Sequence, residues 1–360
     1  MRTVDFQDDA VRLIDQTRLP HELGFVECRT VGDVADAIRR MVVRGAPAIG
    51  VAAAFGLALG ASEYEGEDSA QLLAHLDRAA AELRATRPTA VNLAWAVDRS
   101  MRTAQEIVEG ASGRNGGTIE RVRAELLALA QRMADEDVAV NRRMGVLGAQ
   151  LVPQQARILT HCNTGALACV DYGTAHGVIR AAVEAGKGVH VFVDETRPFL
   201  QGARLTTWEL RQEGIPHTLI TDSMAGHFIS RGQVDLAMVG ADRVAANGDV
   251  ANKIGTYTLA VVCKENRVPF YVVAPTSSID LSLSSGADIP IEERPPEEVT
   301  HLAGQPIAPP GVNAAHPAFD VTPARYVTAI VTERGILRPP YEASLRTAAK
   351  GPAEELLVRA

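Results

Sequence analysis

The 360-residue chain has little cysteine, and none of Cys28, Cys162, Cys169 and Cys263 forms a CxxC pair or shares with a histidine the spacing of a zinc site. No structural metal is expected. Nine histidines without an HExxH pair give no reason to assign a catalytic metal either. Basic charge is also short, with 36 Lys and Arg against 44 Asp and Glu and a formal net charge of −8. That balance argues against nucleic acid, whose binding draws its affinity from Lys and Arg neutralising phosphates. No apolar run reaches the ~20 residues of a bilayer span. The most apolar stretch, 46–61, reads as a buried helix, so no membrane partner is expected. The first ten residues are charged early and hold no apolar run ahead of a small-residue cleavage site, which points to a cytoplasmic protein with reduced thiols. Neither GxGxxG nor a Walker pattern occurs, so a nicotinamide enzyme lacks its fingerprint.

What is present is an ordinary globular composition, 46% apolar and 22% charged, in a chain too long for one core. The first half reads as mostly helical, with helical apolar spacing over 31–43 and 71–83. Thr30 and Thr89 are candidate helix starters, and Pro47, Pro88, Gly66 and Gly116–Gly117 mark turns or helix entrances. Thr118 is a candidate N-cap for a long helix running to about 148. From 156 the pattern changes to short β-branched runs, ARILTHC, VHVFVDE, PHTLITD, DLAMVGAD and PFYVVAP. Amphipathic pieces over 173–185, 205–212 and 254–266 separate them and have the length of crossover helices. This predicts an α/β fold with a doubly wound parallel sheet. Ligands bind such sheets beyond the carboxyl ends of the strands, where Cys162, Asp194, Asp222 and Asp242 fall. The proline-rich stretch 293–318 reads as a loop, a candidate lid or arm.

Three segments carry candidate chemistry. THCNTGALA (160–168) puts Cys162 at a strand end before a glycine turn. A helix starting there, or a nearby Arg or Lys, would favour a thiolate; the alternative is an inert buried thiol. VGADRVAANGDVANKIGTYTLA (239–260) reads as a dense polar loop after a strand. In it Asp242 is either a general acid held protonated by burial or a turn residue, and Asn252 and Lys253 could bind sugar hydroxyls or phosphate. VRGAPAIGVAAAFG (43–56) sets Arg44 and Gly45 ahead of an apolar helix, so a guanidinium and backbone N–H groups could hold a phosphate. Arg87 is a second phosphate candidate or a solvated side chain, and Gln201 a hydroxyl-binding amide or a helix-start residue.

Together RGAPAIG (44–50), THCNTGALA (160–168), VDETRPFLQGARLT (193–206), VGADRVAANGDVANKIGT (239–256), SSGADIPIEER (284–294) and AFDVTPARYVTAIVTERG (318–335) resemble the methylthioribose-1-phosphate isomerase family. The family is related to regulatory subunits of the eukaryotic translation-initiation guanine-nucleotide exchange factor. The resemblance implies a smaller, mostly helical N-terminal domain (1–117), a connecting helix (118–150), a C-terminal Rossmann-like catalytic domain (151–345) and a tail (346–360). It also implies homodimerisation and a cofactor-free aldose-to-ketose step in methionine salvage. Carried over by motif, Cys162 and Asp242 are the catalytic pair. Arg44, Gly45, Ala46, Arg87, Gln201, Asn252 and Lys253 are the contacts to a small sugar phosphate.

Overall fold

The computed structural model describes residues 1–88, 90–111 and 117–350. Thr89, Gly116 and residues 351–360 of the expected tail lie outside the described residues. The chain divides into two compact units, one built from Met1–Val140 and Ala166–Gly173, the other from Asn141–Gly165 and the chain from Thr174 on.

In the first unit the chain opens as a sheet, which the helical reading did not include. Strands β1 (Val4–Gln7), β2 (Ala10–Ile14) and β3 (Phe25–Cys28) pair antiparallel. The tight turn between β1 and β2 places Asp8 at φ 50° and Asp9 at φ 56°. Aspartate tolerates this left-handed backbone, but the pair is not the Asn-Gly signal that announces such turns. Helix α1 (Val31–Arg39) is opened by Thr30 in a capping box with Asp33, as expected of that threonine. It stops short of 43 because Met41 turns left-handed, at φ 62°. Helix α2 (Ala46–Glu63) begins at Gly45 with Pro47 in its first turn. It is long and apolar enough to cross a membrane, yet 83% of it is buried. Leu57 and Phe55 on α2 are fully buried, each stabilising the unit by roughly 1.5–3 kcal/mol. Helices α3 (Ser69–Thr86) and α4 (Val91–Gly110) pack on α2. Helix α5 (Thr118–Ala149) follows, with Thr118 as its first helical residue and not its cap.

The second unit alternates strand and helix: β4 (Gln155–Thr160), α6 (Ala175–Glu184), β5 (Gly188–Asp194), α7 (Thr207–Gln212), β6 (His217–Ile220), α8 (Ala225–Ser230) and β7 (Leu236–Val239). After these come β8 (Arg243–Ala245), β9 (Val250–Lys253), α9 (Thr256–Glu265), β10 (Phe270–Val273) and β11 (Ile279–Asp280). The proline-rich stretch holds a short helix α10 (Glu297–Thr300) and the two-residue strands β12 (His301–Leu302) and β13 (Gln305–Pro306). The described chain closes with β14 (Phe319–Thr322), β15 (Ala329–Thr332), β16 (Gly335–Leu337) and α11 (Tyr341–Ala349). Residues 346–349 of the expected tail are thus helical, and Leu345 and Tyr341 are buried in the core of this unit.

The main sheet has seven strands in the order β16-β15-β10-β7-β4-β5-β6, all parallel except the β15–β16 pair. The α/β fold with a parallel sheet is therefore as predicted. From β4 the chain moves outward through β5 and β6, then returns to lay β7 on the other side of β4 and continues to β10 and β15. The order reverses between β4 and β7, so the connections of these two strands leave in opposite directions, the point at which sheets of this kind bind ligands. Thr160 pairs with Met238 there, and its hydroxyl donates to the Met238 carbonyl at 2.9 Å.

Candidate active site

Cys162 lies two residues past the end of β4 and Asp242 three past the end of β7, so both leave the sheet at the reversal point from neighbouring strands. Each residue of the turn after β4 is tied down. The Cys162 N–H donates to Thr196 Oγ1 at 2.8 Å, and Thr206 Oγ1 donates to the Cys162 carbonyl at 2.7 Å. The Asn163 amide donates to Glu209 at 2.8 Å and to Thr206 at 3.2 Å. Cys162 takes φ 66°, a left-handed backbone that a non-glycine residue rarely adopts. No α-helix starts directly behind the thiol: the next begins at Ala175, after a 3-10 turn at Ala166–Ala168. All four cysteines are buried. Burial first, with nearby aspartates, pushes the Cys28 thiol up to about 11 and the Cys263 thiol up to about 12, which makes them inert at neutral pH.

The segment read as a polar loop after β7 is an ordered hairpin. Strands β8 and β9 pair antiparallel around Asn247 and Gly248, with Gly248 at φ 89° and Asn247 bonded to Asp249 at 2.9 Å. Pairing to β8 and β14 covers both edges of β9 and all four of its residues are buried, Asn252 and Lys253 each only 5% exposed. The Asp242 N–H donates to the Ala251 carbonyl at 2.9 Å, which ties the half-buried aspartate to the same hairpin. Asn252 Nδ2 donates to Thr256 Oγ1 at 3.0 Å. Among the described residues no hydrogen bond or ion pair holds the Lys253 ammonium. Burial lowers its pKa, while Cys162, Glu298 and Asp242 act on it in the opposite sense. Cys162 and Asp242, from separate strand tips, thus both favour the charged form of this buried lysine.

Gln201 precedes a π-helical turn, Gly202–Thr206, whose last residue bonds the Cys162 carbonyl. Only glycine fits at 202, because a Cβ would lie 1.7 Å from the Asp194 carbonyl oxygen. Gln201 is 4% exposed and its amide oxygen has no hydrogen-bond partner, which suits an acceptor awaiting a hydroxyl.

In the first unit Arg44, Gly45 and Ala46 open α2. Gly45 sits at φ 97° with the Ala168 backbone where a Cβ would stand, and Arg44 Nε donates to Gln16 at 3.2 Å. Arg87 follows α3, half-buried, its guanidinium 3.7 Å from the sulfur of Met41.

Sequence reasoning passed over several groups that the fold draws in. His161, beside Cys162, is fully buried with Nδ1 3.0 Å from Asp194 and Nε2 2.9 Å from the Ile254 carbonyl. The proline-rich stretch brings Arg294, Glu298 and His316 into electrostatic reach of Lys253. Arg294 donates to Glu298 at 3.1 Å and to Glu292 at 3.2 Å, and the buried His316 Nε2 has no partner. A histidine at a strand tip next to the thiol was the one available signal for His161. Two clusters have the donor types of a metal site, His161 with Asp194 and Asp222, and His176 with Glu209 and Glu213. Both are already knit by hydrogen bonds. Asp222 accepts from the Thr196 and Arg197 N–H groups at 2.8 and 2.7 Å, and His176 Nε2 lies 2.8 Å from Glu213.

The sequence profile of the Initiation factor 2 subunit family matches residues 42–339. A methylthioribose-1-phosphate isomerase of Pelotomaculum thermopropionicum is 56% identical over 98% of this chain and 94% of its own length. One from Chloroflexus aurantiacus is 56% identical over 98% of this chain and 99% of its own. Among solved structures, 5-methylthioribose 1-phosphate isomerase from Pyrococcus horikoshii superimposes with a TM-score of 0.86 at 46% identity, covering 96% of this chain and 95% of that one. A structure described as translation initiation factor eIF-2B, subunit delta, from A. fulgidus gives 0.84 at 46% identity, covering 98% and 100%. On these identities the chain belongs to the Initiation factor 2 subunit family and, within it, to the methylthioribose-1-phosphate isomerase family.

Proposed function

We propose that this protein is an aldose-ketose isomerase that converts 5-methylthioribose 1-phosphate into 5-methylthioribulose 1-phosphate. The observation that supports the reading is that Cys162 and Asp242 leave the sheet from the neighbouring strands β4 and β7 at the reversal point, and that both favour the charged form of Lys253. A sugar with phosphate on its anomeric oxygen cannot open spontaneously to an aldehyde, so the ring oxygen must be protonated while the phosphate is held. Asp242 in its acid form gives that proton and the C1–ring oxygen bond breaks. In one route the C2 hydrogen then moves to C1 with its electron pair, and the 2-hydroxyl proton passes to the Cys162 thiolate as the carbonyl forms. In the other the thiolate takes the C2 proton, leaving an enol; the thiol then delivers that proton to C1 while the 2-hydroxyl proton passes to the Asp242 carboxylate. In the first route the proton count closes when the thiol passes its proton to Asp242. The reaction is redox-neutral and calls for no external oxidant or cofactor.

Lys253, Arg44, the backbone of Gly45 and Ala46, and Arg87 are the proposed phosphate ligands, and Gln201 and Asn252 the proposed hydroxyl ligands. The family resemblance extends the reading to a homodimer working in the cytoplasm in methionine salvage; sedimentation as a monomer would remove the dimer. The test is turnover followed by NMR with 5-methylthioribose 1-phosphate, 5-deoxyribose 1-phosphate and ribose 1,5-bisphosphate. Preference for the methylthio sugar is expected, and a higher kcat/KM on either of the others would move the assignment to that sugar. Absence of turnover on all three favours a non-catalytic ligand-binding role, the reading that the similarity to an initiation-factor subunit supports. Asp242→Asn is expected to abolish most turnover with KM nearly unchanged, and wild-type activity in that variant removes the acid from the mechanism.

A further inference from the structure

We propose that His161 is a positioning residue for this reaction: it encloses one shared proton with Asp194, and its Nε2–H fixes the Lys253–Gly255 segment against the Cys162 turn. This rests on the isomerase reading above.

Proton inventory makes the case. The Ile254 carbonyl, 2.9 Å from Nε2, can only accept, so Nε2 carries hydrogen. Nδ1 faces Asp194 Oδ2 at 3.0 Å, with both side chains 2% exposed. Two lone pairs cannot be left facing each other in a buried site, so a second proton lies between them, on the imidazole or on the carboxyl. The surroundings agree. Burial pushes His161 down, but its bond to Asp194 and the charges of Asp194 and Asp222 outweigh it and the net shift is upward; burial likewise raises Asp194. The other ionisable groups acting on the pair are Asp222, 3.9 Å from Nδ1, then Asp320, Glu195 and Cys263.

The ring is placed to act as a clamp. Gly255, at φ 104°, passes so close that a Cβ would lie 2.8 Å from the ring Cε1. Ile254 follows Lys253 directly, and His161 precedes Cys162. Asp194 joins the same point a second way, because its carbonyl accepts from Thr196 Oγ1 at 3.0 Å and that oxygen accepts the Cys162 N–H. The exits of β4, β5 and β9 are therefore registered through one imidazole.

Two substitutions in the full chain separate this role from plain packing. His161→Gln keeps an amide donor near the Nε2 position and so retains the bond to Ile254, whereas His161→Asn places its amide near Nδ1 and leaves that carbonyl unpaired. Displacement of a catalytic group by ~1 Å costs about 100-fold. His161→Asn is expected to lose about 100-fold in kcat, and His161→Gln to stay within tenfold of wild type. Equal kcat in the two variants overturns the clamp. Independently of turnover, 15N spectra of histidine-labelled wild-type protein should show His161 Nε2 protonated and its signals unchanged from pH 6 to 9. An imidazole titrating near 6.5 overturns the shared proton. A wild-type protein that leaves the sugar phosphate unconverted refutes the isomerase reading, while the spectra still decide whether the clamp exists.

Discussion

Replacing Lys253 with methionine should make the protein more stable and a worse binder at the same time. Methionine keeps the unbranched stem and fills the same space, but removes the ammonium of a residue that is 5% exposed, an ammonium with no hydrogen bond or ion pair among the described residues. An unpaired buried polar group costs about 1–3 kcal/mol in protein mutational data, and that penalty disappears in Lys253→Met. At roughly 2–4 °C per kcal/mol the melting temperature should rise by roughly 2–12 °C. The pH dependence has a definite sign. Burial lowers the folded pKa of Lys253 below the unfolded value, so the penalty on wild type is complete below the folded pKa and vanishes as pH rises toward the ordinary lysine value of 10.5. The stability gap between variant and wild type should therefore be widest at neutral pH and close in alkali. A charge-assisted hydrogen bond to phosphate contributes about 1.5–3 kcal/mol, so KM should rise roughly 10- to 150-fold. Differential scanning fluorimetry from pH 7 to 10, with and without inorganic phosphate, and steady-state kinetics measure both sides. A variant that melts below wild type and keeps its KM within twofold would refute the assignment of Lys253 as a waiting anion ligand.

Other perturbations test separate parts of the site. Gly202→Ala places a methyl 1.7 Å from the Asp194 carbonyl oxygen, so the π-helical turn must shift; a stability loss of roughly 3 kcal/mol or more in urea unfolding is expected, and a loss below 1 kcal/mol contradicts that packing. Gln201→Met removes a buried oxygen without a partner, so unfolding free energy should hold or rise while KM rises about fivefold; an unchanged KM takes Gln201 out of the substrate contacts. Substrate deuterated at C2 distinguishes the two hydrogen-transfer routes, since retention of the label at C1 selects the hydride shift and complete washout into solvent excludes it.

The sheet domain was legible because its strands are apolar runs bounded by turn residues, and its helices have the length a right-handed crossover needs. Cys162 and Asp242 stood out as polar residues at strand exits, and the strands they leave, β4 and β7, lie on either side of the reversal in strand order. The hairpin of β8 and β9 escaped notice although Asn247–Gly248 is a strong turn signal. Its second strand is buried on both faces, so Asn252 and Lys253 break the alternation by which strands are recognised. The N-terminal sheet was missed because Asp8 and Asp9 make a left-handed turn without glycine. His161 with Asp194, 33 residues apart, is a tertiary pairing that no local pattern encodes. Whether a helix starts behind the thiol stayed open in the sequence, because a glycine after a strand fits a turn as well as a helix start; the chain makes a 3-10 turn there.

The left-handed backbone at Cys162 bears on how chemistry can be lost from this scaffold. At φ 66° an L-residue with a side chain is disfavoured by about 1–2 kcal/mol, and glycine is at ease there. A relative released from turnover would gain stability by drifting to glycine at this one position, with the rest of the turn still anchored by its neighbours. The sulfur thus stands against the conformational preference of its own main chain, and in a descendant its replacement would be an early mark of a site that has stopped reacting and only binds.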